Sequence, residues 1–192
     1  GRPATKMISL FMDEEKEYVA TLCLGSVSTT QDPEGDIVTR RWDEPYTRVE
    51  IQSVLDRFKG EILQTPPSFS ALKYKGKPLY HYARKGIVVK KEARKIHIHS
   101  LEWIDQKDRI WRDDPFITIK VVSGKGTYIR SLAADIGEQL GCGAYLTSLR
   151  RTRSGGFSVE DSLAGTLFSE TGAHEKIKNR LLSVGDVQNL LQ

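Results

Sequence analysis

Arg130 closes the segment Lys125-Gly126-Thr127-Tyr128-Ile129-Arg130, and a guanidinium one turn into a helix is the group that holds a carboxylate with two parallel hydrogen bonds. The competing reading is an ordinary solvated arginine. The residues just before it, Ser123-Gly124-Lys125-Gly126-Thr127, invite a phosphate-loop reading, because such a loop turns backbone amides and a helix N-terminus toward an anion. The spacing rejects it: Ile119 stands where the first glycine is required, and Gly126 where Ser or Thr must follow the lysine. Gly141-Cys142-Gly143 is too short for a dinucleotide fingerprint and reads as a helix stop plus a turn.

A second constellation mixes basic and aromatic residues from Lys73 to Arg84, through Lys73-Tyr74-Lys75-Gly76-Lys77 and Tyr80-His81-Tyr82, with more basic charge at Arg150-Arg151. Lysine and arginine neutralise phosphates while aromatic faces stack on unpaired bases, so the mixture suits structured RNA with a loop. A solvated basic face is the alternative, since the net charge is only +4. His81, His97, His99 and His174 assemble no Ser/His/Asp arrangement. His97 and His99 share one side of a strand, as metal pairs do, but lack a carboxylate or cysteine companion at metal-site spacing and read as ordinary strand residues. Taken alone, Tyr18 is a half-buried core aromatic and Leu149 a core leucine.

The elements that must position these groups are legible in part. Glu17 to Leu24 is rich in strand-favouring residues, and Ser26 to Gly35 reads as a loop. Thr47-Arg48-Val49-Glu50 has capping-box spacing, and Val49, Val54, Leu55 and Phe58 predict a helix over 48–59 that Gly60 stops. Pro66-Pro67 forces extended backbone, and Pro78 and Gly86 frame a short helix through Leu79 to Arg84. Alternation predicts strands at Lys95 to Trp103 and Phe116 to Val122, helical periodicity a helix from Thr127 to Leu140, and Leu146 to Thr152 a further strand. The tail from Ser169 reads as helical, with Leu181, Leu182, Leu190 and Leu191 as its packing residues. Strands and helices interleave without repeats, which favours one mixed domain with antiparallel strands.

The 192 residues allow one large domain or two small ones, and 39% hydrophobic against 28% charged residues suffices for a real core. Cys23 and Cys142 are expected as free thiols, with no metal. No apolar run approaches the roughly 18 residues of a membrane-spanning helix, and the chain reads as cytoplasmic. It opens on Gly1-Arg2-Pro3 with its first methionine at Met7, as a processed chain or a piece of a longer one would.

Several segments together resemble a bacterial tRNA pseudouridine synthase of the TruB family. They are Ala4-Thr5-Lys6, Lys16-Glu17-Tyr18, Thr30-Gln31-Asp32-Pro33-Glu34-Gly35, Gln64-Thr65-Pro66-Pro67 running to Lys73, Gly76-Lys77-Pro78-Leu79-Tyr80, Lys125 to Arg130, and Leu140-Gly141-Cys142-Gly143-Ala144 leading to Leu149-Arg150-Arg151. The resemblance implies an α+β fold, the pseudouridine synthase fold, with a mixed, largely antiparallel sheet flanked by helices. It also implies conversion of uridine 55 in the tRNA T loop to pseudouridine, without metal or organic cofactor. The family's nucleophilic aspartate lies in a Gly-x-Leu-Asp-Pro type motif upstream of the Ala-Thr-Lys segment, which here begins at Ala4. Asp13, Asp32 and Asp135 lack that motif, so no substitute is nominated.

Carried over residue by residue, the resemblance has Tyr18 stack on a flipped uracil, Tyr128 and Leu149 line its pocket, and Arg130 pair with the missing aspartate. Lys73, Lys75, Lys77, Arg150 and Arg151 are the candidate RNA contacts, with the T arm and T loop as partner and no membrane. Residues 1–168 are expected to form a partial catalytic domain that an N-terminal segment of the same protein completes. Residues 169–192 form a helical tail too short for a complete PUA domain. The chain alone is expected to be inactive, and the alternative is a noncatalytic RNA-binding or RNA-folding module.

Overall fold

The computed structural model describes Thr5 and residues 14–190. Strand β1 (Lys16–Leu24) runs into β2 (Ser26–Ser28) and β3 (Ile37–Thr39), which pair with each other, so part of the expected loop is a hairpin. Next come β4 (Tyr46–Thr47), helix α1 (Arg48–Asp56) and β5 (Gly60–Gln64). A small hairpin of β6 (Lys73–Tyr74) and β7 (Lys77–Pro78) precedes α2 (Leu79–Ala83). Then β8 (Arg94–Trp103), β9 (Arg109–Ile110) and β10 (Phe116–Ser123) lead to α3 (Ile129–Leu140). The chain continues through β11 (Ala144–Ser154) and β12 (Phe157–Ser158) to α4 (Ala173–Asn179) and α5 (Val184–Asn189). The main sheet has the order β12-β11-β1-β10-β8-β5, and every neighbouring pair is antiparallel. Among the described residues, no helix is long and apolar enough to cross a membrane.

Alternation along the strands explains which sheet face is dry. Ala20 and Leu22 of β1, Ile96 and Ile98 of β8, and Ile117, Ile119 and Val121 of β10 are buried, and α1 and α3 cover them with Ile51, Leu55, Leu132 and Ile136. At the start of α1 the capping box forms as the sequence predicts: the Glu50 N–H donates to Thr47 Oγ1 and the Thr47 N–H to Glu50 Oε2. Val49, however, is 78% exposed. The buried stripe is Ile51, Val54 and Leu55, with Phe58 packed against it, and Val49 sits two residues outside that i, i+3, i+4, i+7 pattern.

Helix α3 approaches β11 closely because Gly137 has no side chain. A Cβ there would stand 2.0 Å from the Ala144 nitrogen, and the Gly143 N–H donates to the Gly137 carbonyl at 2.8 Å. The turn that makes this approach uses Gly141, whose φ of 85° ends the helix in the left-handed region. The tail departs from expectation. It is helical at α4 and α5, but Leu181 and Leu182 fall between those helices and are exposed, as is Leu190. Residues in that connection have no helical face with which to pack, and Leu191 lies outside the described residues.

Candidate active site

Arg130 lies in the first turn of α3. Its guanidinium joins two other segments: NH1 donates to Asp32 Oδ2 at 2.5 Å, and NH2 donates to the Phe69 carbonyl at 2.8 Å. Asp32 is delivered by a tight turn that its own neighbours lock. Ser28 Oγ donates to the Asp32 carbonyl, while Thr30 Oγ1 and the Glu34 N–H donate to Asp32 Oδ1. Gln31 adopts φ of 67°, unusual for a residue with a side chain, and is held there by Ser131 Oγ donating to its Oε1 and by the Leu146 N–H donating to its carbonyl.

Burial raises the proton affinity of the Asp32 carboxyl, but the hydrogen bonds from Thr30, Arg130 and Glu34 and the arginine charge outweigh it and hold its pKa below the ordinary value of 3.8. A depressed folded-state pKa stabilises the fold above that ordinary value, and the contribution is lost as pH falls through the lowered one. At neutral pH the site therefore contains a fixed carboxylate–guanidinium pair, with side chains only 16% and 25% exposed.

Arg130, Asp32 and Glu34, together with Leu146 and Leu149 of β11, line a cavity of about 290 Å³. A bulge shapes the β11 part of this lining: the β1–β11 register shifts between Thr21 and Leu22, and the extra residue, Thr147, donates its hydroxyl to the Thr21 carbonyl at 3.0 Å. Leu149 is thereby paired with Ala20 and shares the inner face, and Tyr18 follows two residues along, paired with Arg151. Tyr18 and Tyr128 do not line this cavity. Tyr18 lies on the same inner face of the sheet, whereas Tyr128 is the residue from which α3 starts. A pocket lined by both apolar and charged, hydrogen-bonding groups can accept a planar heterocycle and orient its polar edge.

The expected RNA contacts fall in two places. Lys73, Lys75 and Lys77 are exposed on the β6–β7 hairpin, whose turn holds Lys75 and Gly76 at positive φ. The interleaving seen in the sequence becomes contact: Lys75 sits 5.5 Å from the Tyr74 ring centroid, Arg84 sits 5.4 Å from that of Tyr80, and Tyr74 meets Tyr82 edge-on. Arg150 and Arg151 are also exposed, but strand alternation separates them. Arg151 pairs with Tyr18 on the cavity side and Arg150 with Val19 on the outer side, so the five cations do not share one face. The His97 and His99 rings lie with centroids 4.5 Å apart, tilted by 44°, and His99 contacts Glu15 at 3.2 Å.

Comparison with known proteins places this geometry. A family model described as TruB family pseudouridylate synthase (N terminal domain) matches residues 2–129, and one described as tRNA pseudouridylate synthase B C-terminal domain matches residues 130–184. The chain belongs to the TruB family. It is 53% identical over 192 residues to tRNA pseudouridine synthase B of Desulfotalea psychrophila, covering 100% of this chain and 78% of that relative. It is 50% identical over 159 residues to tRNA pseudouridine synthase B of Chromobacterium violaceum, covering 83% of this chain and 50% of the relative. The crystal structure of a Cbf5-Nop10-Gar1 complex contains a similar fold, with TM-score 0.63 and 26% identity over 96% of this chain and 46% of the other. The chain thus spans about half the length of several proteins it matches. Within this TruB family member, sequence reasoning missed Asp32 as the partner of Arg130. The signal was present in Thr30-Gln31-Asp32-Pro33-Glu34-Gly35, a turn-forming run with an acid at its apex.

Proposed function

We propose that the chain is the C-terminal part of the catalytic domain of a tRNA pseudouridine synthase that converts uridine 55 of the T loop to pseudouridine. The observation that carries this reading is the Arg130–Asp32 pair walling a cavity with Leu149, in a chain of the TruB family. Leu149 lines the cavity that receives the flipped uracil, while Tyr18, stacking on the base, and Tyr128, at the start of α3, contact it from outside the lining of that cavity. An aromatic face and an apolar wall recover part of the stacking energy the base loses on leaving the RNA. The nucleophilic aspartate comes from a Gly-x-Leu-Asp-Pro segment outside these 192 residues, and Arg130 holds it ionised.

The reaction breaks the bond from the sugar C1′ to the uracil N1, turns the base, and forms the C1′–C5 bond. C5 then loses its proton and N1 gains one, so the balance requires neither metal nor organic cofactor. The cationic hairpin of Lys73, Lys75 and Lys77 grips the RNA backbone, with Arg151 on the cavity side and Arg150 on the outer side. Such contacts release counterions and weaken as salt rises. Residues 1–168 carry this catalytic work in the cytoplasm, and 169–192 form an appended tail.

The test is tritium release from T-arm RNA labelled at uridine C5. Residues 1–192 alone are expected to release none above background. Adding the N-terminal segment, or using the complete protein, is expected to restore release and raise thermal stability. Sustained release by residues 1–192 of verified mass would mean that the nucleophile is misplaced here. Salt-sensitive RNA binding by the complete protein with no release would instead support a noncatalytic RNA-binding or RNA-folding module.

A further inference from the structure

Among the described residues, Gln64 is the one long polar side chain packed into the interior, at 2% exposure, and it ends the edge strand β5 opposite Arg94. Its amide spends both functions on a single residue. Oε1 accepts the Tyr128 N–H at 2.8 Å and Nε2 donates to the Tyr128 carbonyl at 3.1 Å, a two-point clamp on the backbone across 64 positions of sequence. The orientation of the amide is fixed by this partner, since the reversed group would set acceptor against acceptor and donor against donor.

The clamped residue matters because α3 begins there. Tyr128 is the N-cap of the helix, its side chain makes no capping hydrogen bond, and its carbonyl also accepts the Leu132 N–H at 3.0 Å. Two residues later Arg130 donates to the Phe69 carbonyl, so the run from Gln64 to Phe69 is stitched twice to the first turn of α3. Between the stitches stand Pro66 and Pro67, which have no N–H to offer and keep the run extended. We infer that Gln64 is a positioning residue: its amide clamp sets the backbone of Tyr128, and through it the first turn of α3 that presents Arg130 to the nucleophilic aspartate.

This inference rests on the reading of the site as an isomerase pocket. The clamp predicts a reactivity defect larger than any binding defect, because small displacements of a positioned group cost about 10²-fold in rate. Gln64→Leu keeps the bulk and removes both functions. Gln64→Glu keeps the shape, and its protonation state decides the outcome. The neutral acid accepts from the Tyr128 N–H and donates to its carbonyl as the amide does, whereas the carboxylate turns an oxygen on that carbonyl. Burial and the facing carbonyl favour the neutral form. Of the charged residues on the elements that Gln64 joins, Arg94 pairs with it across the ladder on β8, and Arg130, two residues after the clamped Tyr128, is bonded to Asp32.

The experiment compares single-turnover rates and T-arm RNA affinities of the complete protein as wild type, Gln64→Leu and Gln64→Glu at pH 8 and pH 6. Gln64→Leu is expected to lose about 30- to 100-fold in rate at both pH values with affinity within about threefold. Gln64→Glu is expected to lose as much at pH 8 and to recover about tenfold, relative to wild type, at pH 6. Should Gln64→Leu fail to fold, the acid recovery of Gln64→Glu decides alone. Hydrogen exchange of the Tyr128 amide gives a second readout, with protection in wild type falling about 100-fold in either variant at pH 8. Wild-type rates in both variants, or parallel losses of rate and affinity without recovery at pH 6, would overturn the inference. A wild-type protein with no isomerase activity would sink the functional reading, and the exchange measurement would still decide whether Gln64 clamps Tyr128.

Discussion

Replacing Arg130 by lysine in the complete enzyme is expected to lower the single-turnover rate constant by about 10²- to 10³-fold while RNA affinity stays within about threefold. The charge survives this substitution, so the loss isolates geometry. Arg130 uses separate nitrogens for Asp32 and for the Phe69 carbonyl, bringing the turn at residue 32 and the run after β5 to one helix turn. An ammonium on a flexible stem is a point charge with no planar fork, and it cannot satisfy both partners at once while also meeting a third, the nucleophilic carboxylate. Rapid-quench tritium release and filter binding on the same T-arm RNA separate the two quantities. A variant with normal rate and weakened binding would move Arg130 from the reacting centre to the RNA-gripping surface.

Gly137→Ala is expected to destabilise the fold by about 3 kcal/mol, lowering the melting temperature by roughly 6–12 °C. The added methyl would lie 2.0 Å from the Ala144 nitrogen and 2.3 Å from the Gly143 carbonyl carbon, and neither is a flexible side-chain end that can swing aside. Relief requires α3 to lift from β11, which stretches the Gly143-to-Gly137 hydrogen bond and uncovers Ile136 and Leu146. Urea unfolding monitored by far-ultraviolet circular dichroism measures the change, and activity falls with it because α3 carries Arg130. Stability unchanged to within about 0.5 kcal/mol would contradict the close packing of α3 on β11.

Local signals in the sequence predicted local structure well. β1 was legible from its strand-favouring residues, β8 and β10 from alternation, the start of α1 from its capping box, and the buried face of α3 from Ile129, Leu132 and Ile136. Where a residue's fate depends on distant chain, the sequence was silent. Asp32 meets Arg130 across 98 residues and Gln64 meets Tyr128 across 64, and neither end carries a periodicity that announces the other. The bulge at Thr147 decides which face Leu149 occupies, and a bulge leaves no pattern in one strand read alone. Leu181 and Leu182 show the opposite error: apolar residues near a helix were assigned to packing that the chain's course does not provide. Residue types identified Arg130 as a group able to hold a carboxylate, but only the fold supplied a carboxylate for it.

The most direct test of the central claim is to map pseudouridine in an unmodified tRNA transcript after incubation with the complete protein. Carbodiimide adducts that block reverse transcription locate each pseudouridine to the nucleotide. One strong stop is expected, at uridine 55 of the T loop, and it disappears when that uridine is replaced by cytidine. No stop, or a stop only outside the T loop, would contradict the claim.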